Sequence, residues 1–161
     1  MKTRRPRRVA EDIQQSKPFR TPHQEAAIAL LRTADVVRRR IAAVIERAGI
    51  TGQQYNVLRI VRGAGEAGIP TLDIAKRMIE RTPGITRLLD RLENRQLVRR
   101  ERCPSDRRQV LCWITPAGLE VIAQLEKPVT QADKEVIQGL DVAELRHLID
   151  YLDRIREEVV A

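Results

Sequence analysis

Arg99-Arg100-Glu101-Arg102-Cys103-Pro104-Ser105-Asp106-Arg107-Arg108-Gln109 lies between two apolar runs, Leu97-Val98 before it and Val110-Leu111-Cys112-Trp113-Ile114 after it. Runs of this strand-favouring type around a Pro-Ser-Asp turn predict a β-hairpin. Its tip carries Arg107 and Arg108, a narrow cationic probe suited to a phosphate backbone or a narrow minor groove.

The segment just before the hairpin reads as a helix from Pro83 to about Arg95. Ile85, Leu88, Leu89 and Leu92 fall at i, i+3, i+4 and i+7 and face a core. The opposite face holds Gly84, Arg87, Asp90, Arg91 and Asn94. Upstream, a short helix over about 71–79 is expected to bury Leu72, Ala75 and Met78. A loop from Gly65 to Pro70 separates it from a helix that starts at Thr51, where Thr51 and Gln54 form a capping-box pair. That helix buries Tyr55, Leu58 and Val61 and ends at Gly63. A first helix over about 22–48 carries the stripe Ala27, Leu31, Ala34, Val37, Ile41, Val44, Ile45, Ala48, and Gly49 stops it.

Thr-Pro occurs as Thr21-Pro22, Thr82-Pro83 and Thr115-Pro116, each before a helical pattern. Threonine caps free N–H groups and proline fits the first helical position, so three helix starts are placed there. The helix after Thr115 repeats Ile122, Leu125, Val129, Ala132 and Val136 in a heptad-like seam that predicts long helix packing. Pro128 should kink or interrupt it. Asp141, with Glu144 three residues on, caps a last helix lined by Leu145, Leu148, Ile149, Leu152, Ile155 and Val159.

The net charge is +8, and its placement is informative. Residues 1–20 hold seven Lys/Arg and two acids, giving +5, and residues 82–118 hold eight Arg and four acids, giving +4. The rest therefore sum to −1. Residues 1–20 read as a flexible basic arm. Positive charge focused in two places fits a nucleic-acid partner. The four aromatics, Phe19, Tyr55, Trp113 and Tyr151, are too few for the stacking platforms of single-strand binders.

Helix, turn, helix with a polar outer face, then basic hairpin is the order of a winged helix-turn-helix. In such a unit the second helix enters the major groove N-terminus first. The recognition-helix candidates are Thr82, Pro83, Gly84, Thr86, Arg87 and Arg91. Gly84 lets the backbone approach, and Arg87 can donate two bonds to a guanine edge. The wing candidates are Arg107 and Arg108.

The motifs Thr82-Pro83-Gly84-Ile85-Thr86-Arg87-Leu88-Leu89-Asp90-Arg91-Leu92-Glu93, Gln96-Leu97-Val98-Arg99-Arg100, Ser105-Asp106-Arg107-Arg108 and Ile114-Thr115-Pro116-Ala117-Gly118 resemble the signature of MarR-type transcriptional regulators. The resemblance covers about residues 24–159. It implies a mainly α fold, a winged helix-turn-helix with a short β-hairpin wing and N- and C-terminal helices forming a dimerisation region. The implied division is a basic arm over 1–20, a dimerisation helix over 21–50, the DNA-binding lobe over 51–114 and C-terminal dimerisation helices over 115–161. The implied function is a homodimeric repressor on a palindromic double-stranded operator, released by a small phenolic or other aromatic effector. In that pattern Asp106 braces the wing, Asp90 pairs with an arginine of wing or helix, and Arg107 or Arg108 touches DNA. The apolar stripes themselves agree with a dimer, because the terminal helices carry more of them than one small lobe can cover.

Two other readings compete. A nonspecific nucleoid-type binder would share the charge. A winged-helix adaptor for another protein would need an apolar outer face on the 83–95 helix, which the sequence lacks. No nucleophile–base pair and no phosphate-cradling glycine loop appears, so no enzyme is expected. His23 and His147 lack a ligand pattern, so neither a metal nor another cofactor is expected.

Cys103 and Cys112 are expected to face about positions 110 and 101 of the hairpin, too offset for a disulfide. Free thiols, with no secretory signal and no membrane span, point to the cytoplasm. Cys103, beside Arg102, is the thiol that an oxidant would meet first. Tyr55 and Arg38, Arg39 and Arg40 could approach a ligand cavity, but they read more simply as a core residue and a solvated face.

Overall fold

The computed structural model describes residues 8–81, 83–106 and 108–160. The elements run α1 (Val9–Asp12), α2 (Pro22–Ile45), α3 (Gly52–Gly63), β1 (Ile69–Pro70), α4 (Thr71–Arg77), α5 (Ile85–Asn94), β2 (Val98–Arg102), β3 (Val110–Ile114), α6 (Pro116–Val136) and α7 (Val142–Val160). Of the expected site residues, Thr82 and Arg107 lie outside the described residues, as do residues 1–7 of the arm. The rest of the arm segment contains α1, which lies on α2 with Asp12 paired to Arg32 at 2.6 Å.

Local capping chemistry fixes most helix starts. Thr21 accepts from the Gln24 N–H at 3.2 Å, and Thr115 accepts from the Gly118 N–H at 3.1 Å, each with proline in the first turn. The Thr51–Gln54 box closes in both directions, at 2.9 and 3.2 Å. Asp141 and Glu144 do the same for α7. The third Thr-Pro start does not hold. Helix α5 begins at Ile85 from Gly84, whose φ of 100° is left-handed, and no side chain caps it among the described residues. Pro83 belongs to the turn. The role of Gly84 is therefore conformational, since a side chain there would be strained whatever space surrounds it.

One further expectation is corrected and one is narrowed. Helix α4 buries Ile74 rather than Leu72, which is 72% exposed. Two turns are too few for apolar spacing to fix the phase of a helix. Pro128 does not interrupt α6, which runs through it. The neighbours Leu125 and Val129 are buried, so packing compensates for the helix bond that proline cannot donate.

The sheet order is β1-β3-β2, antiparallel throughout. Arg100 faces Cys112 and Arg102 faces Val110, one residue away from the expected register. Both cysteines are free. Residues from α3, α4, α5, β2, β3 and α6 share one core, built around Leu58, Ile74, Leu89, Leu92 and Ile122. The seam of α6 packs on α2, burying Ile122, Leu125, Val129 and Ala132, with Val136 half-buried. The stripe of α2 divides. Ile45 is buried and Val37, Ile41 and Val44 are half-buried, whereas Ala27, Leu31 and Ala34 are exposed. Along α7, Leu145 and Leu152 are half-buried and Leu148, Ile149, Ile155 and Val159 are exposed.

The wing is joined closely to α6. Thr115 donates its hydroxyl to the Gln96 carbonyl at 2.6 Å, and its N–H bonds the Leu97 carbonyl at 3.1 Å. Gly118 lies against the same carbonyl so tightly that a Cβ would stand 2.2 Å from Leu97 O.

Candidate nucleic-acid interface

Helix α5 turns Leu88, Leu89 and Leu92 inward, with Ile85 partly buried. The 3.6-residue period then forces Thr86, Arg87 and Arg91 outward, and all three are exposed. Among the described residues neither arginine forms a salt bridge, so both guanidinium groups are available to an external anion or base edge. The turn leading into α5 is held from behind. Asn56 of α3 accepts the Ile79 N–H at 2.9 Å, and Arg38 of α2 stands 3.7 Å from Glu80.

The hairpin is fixed to α5 by Arg100. Its guanidinium bonds Asp90 at 2.6 Å and Glu93 at 2.5 and 3.0 Å, while its backbone N–H donates to Glu93 at 3.0 Å. The Glu93 hydrogen bond, with that from Asp90, raises the Arg100 guanidinium above its ordinary value, against a smaller opposing effect of burial. Arg100 is thus committed to the protein. At the wing tip Asp106 accepts from the Arg108 N–H and from the Gln109 amide, each at 3.0 Å. The side chain of Arg108 is exposed, with no ion pair among the described residues. On the outer face of the wing Arg99 stacks on Trp113 at 4.2 Å, and the Trp113 indole N–H donates to the Glu66 carbonyl at 2.9 Å.

The sequence reading named Asp90 and Asp106 but missed Glu93 and Arg100. Their spacing of seven carries no signal until the strand register is known. Lys76 was also missed. It is exposed on α4 and pairs with Asp73 at 2.9 Å. A cleft of about 400 Å³ opens between α4, α5 and the wing, lined by Leu72, Thr86, Arg108 and Val110 among others.

A smaller cavity of about 120 Å³ lies between α3 and α6, lined by Tyr55, Arg59, Arg62, Glu126 and Asp133. Burial raises the Tyr55 hydroxyl pKa, and the two arginines partly offset this. Arg38, Arg39 and Arg40 do not line it; they pair with Asp35, Glu80 and Glu135. Among the described residues no group of His, Cys, Asp and Glu could hold a metal, and no helix is long and apolar enough to cross a membrane.

The sequence model of the MarR family matches residues 50–110, from the start of α3 to the first residue of β3. A MarR transcription factor from Planctomyces limnophilus is 38% identical, with a TM-score of 0.66, over 84% of this chain and 98% of that one. This chain belongs to the MarR family. MarR proteins are DNA-binding transcription regulators, not enzymes. The MarR regulator Sco3205 from Streptomyces coelicolor, solved in complex with DNA, shares the fold at a TM-score of 0.74 and 22% identity, over 89% and 92% of the two chains. BpsR from Bordetella bronchiseptica, whose DNA binding is regulated by 6-hydroxynicotinic acid, does so at 0.72 and 23%, over 82% and 98%. A curated relative from Thauera aromatica, named as a transcriptional regulatory protein for the hcr operon, is 29% identical over 107 residues, 66% of this chain. The chain spans 63% of that relative's length.

Proposed function

We propose that this MarR protein is a homodimeric repressor that reads a palindromic operator and is released by a small phenolic or other aromatic effector. The observation that carries the reading is the pairing of two free arginines on α5, Arg87 and Arg91, with a wing locked to the same helix through Arg100. In this reading Thr82, Pro83, Gly84, Thr86, Arg87 and Arg91 face the major groove. Arg107 reaches the neighbouring minor groove, Arg108 contacts the DNA beside it, and Asp90 and Asp106 brace the wing. The DNA complex of Sco3205 supports a duplex partner for this fold.

The dimer is supported by the exposed apolar residues of α7 and of the N-terminal half of α2, which a second copy would cover. In this division residues 21–50 and 115–161 supply the dimerisation helices and 51–114 the DNA-binding lobe. Two-fold symmetry then sets the half-sites about 34–36 Å apart. The effector has a candidate seat in the cavity beside Tyr55, Arg59 and Arg62, and BpsR gives a precedent for control by an aromatic acid.

Duplexes enriched from a random pool and then titrated against salt test the reading. The enriched duplex should bind about 10³-fold or more tighter than random sequence at physiological salt. Equal affinities and equal slopes would instead identify a nonspecific nucleoid-type binder.

A further inference from the structure

Leu72 is 72% exposed on the first turns of α4, on the same side of the molecule as Thr86 and the wing. A leucine in that position gains nothing from water and contributes nothing to the core. It lines the cleft between α5 and the wing, together with Pro70, Val110, Thr86 and Arg108. The width of the cleft is set internally. Thr71 donates its hydroxyl to the Val110 carbonyl at 3.2 Å, and Arg100 ties the wing to α5.

The duplex itself restricts what can occupy such a gap. A major groove and its neighbouring minor groove are separated by one sugar-phosphate strand. A protein that places α5 in one and a wing in the other must straddle that strand. Deoxyribose presents apolar C–H surface between charged phosphates. The cleft matches this with apolar surface at Pro70, Leu72 and Val110 and with most of its charged groups paired. Lys76 pairs with Asp73, and Arg100 pairs with Asp90 and Glu93. Arg108 is the lining cation without an ion pair among the described residues.

We infer that this cleft seats one sugar-phosphate strand of the bound duplex, with Leu72 packed against deoxyribose and Arg108 on an adjoining phosphate. The inference rests on the proposed DNA-binding function. It assigns to Leu72 an affinity role that is independent of base sequence.

Leu72→Ala and Arg108→Ala, each in the full chain, separate the two contacts in binding titrations on the enriched duplex and on random duplex at several salt concentrations. Leu72→Ala should weaken both duplexes about tenfold per half-site, as expected for withdrawing two or so methylene equivalents from a partly desolvated contact in each protomer. It should leave the salt slope and the ranking of sequences unchanged. Arg108→Ala should weaken binding and make the slope shallower by about 1.8, one phosphate's worth in each half-site. Thermal midpoints should not move, because both side chains are exposed. Wild-type affinity for Leu72→Ala overturns the inference. So does a changed slope, or a loss confined to particular sequences, which would make Leu72 a reader of bases. If the wild-type chain prefers no duplex over random sequence, the underlying reading fails before any variant is compared.

Discussion

The carboxylate of Glu93 holds Arg100 by both backbone and side chain: one oxygen accepts the N–H at 3.0 Å, and the other accepts the guanidinium at 2.5 and 3.0 Å. Strand β2 is thereby fixed to α5 in position and in register. Replacing Glu93 with alanine should cost about 1–2 kcal/mol of stability, the range for a half-exposed charged hydrogen-bond pair. Affinity for an enriched duplex should fall as well, since the wing loses its fixed distance from the recognition helix. Urea melts and a binding titration on the same preparation read both effects.

Arg87→Ala removes a guanidinium that has no ion pair among the described residues, so the fold should be indifferent to it. The expected effect is a loss of about 1–3 kcal/mol on the preferred duplex and a relaxed preference at one base pair per half-site. A uniform loss on every duplex would mean that Arg87 meets a phosphate.

Gly118→Ala pushes a methyl group onto the Leu97 carbonyl, a backbone atom that cannot rotate away. Destabilisation of about 2 kcal/mol or more is expected from overpacking at such a contact. Gly52→Ala is the control, with no atom within 4 Å of its added Cβ. A denaturant melt in which the two variants match would refute the tight contact.

The two thiols should separate cleanly by pH. Hydrogen bonding from Ser105, reinforced by the backbone of Asp106 and Ser105, lowers the Cys103 pKa. Burial raises that of Cys112 to about 11. The thiolate is the reactive form. Cys103 should therefore alkylate from a lower pH than a free cysteine, and Cys112 should stay unmodified until the chain unfolds. Mass spectrometry after iodoacetamide at stepped pH checks this. Ser105→Ala should move the Cys103 midpoint upward.

Ile149→Glu and Ile155→Glu place charge on the exposed apolar face of α7. If a second copy covers that face, sedimentation equilibrium should show dimer for the wild-type chain and monomer for the double variant. The variant's helix content should be unchanged.

Local chemistry was legible in the sequence. Thr21, Thr51, Thr115 and Asp141 each cap a helix using groups three residues away, and short-range pairs of this kind need no tertiary information. The core face of α5 was legible because ten residues carry enough periods to fix a phase. Helix α4, at seven residues, did not, and Leu72 was assigned to the wrong face. Thr82-Pro83 resembled a cap, but Pro83 lies in a turn and the left-handed Gly84 sets the helix start at Ile85. The hairpin register slipped by one because loop composition does not fix where the turn is centred. That slip hid the clamp. With Arg100 opposite Cys112, its side chain lies on the inner face of the hairpin, within reach of Asp90 and Glu93.

The junction at Thr115 and Gly118 has a mechanical consequence. Helix α6 meets the base of the wing through a hydroxyl, a backbone hydrogen bond and a glycine in contact with a carbonyl, and no flexible linker intervenes. The same helix runs along α2. A rigid shaft so mounted transmits rotation. A roll of α6 against α2 would therefore bear directly on the base of the hairpin.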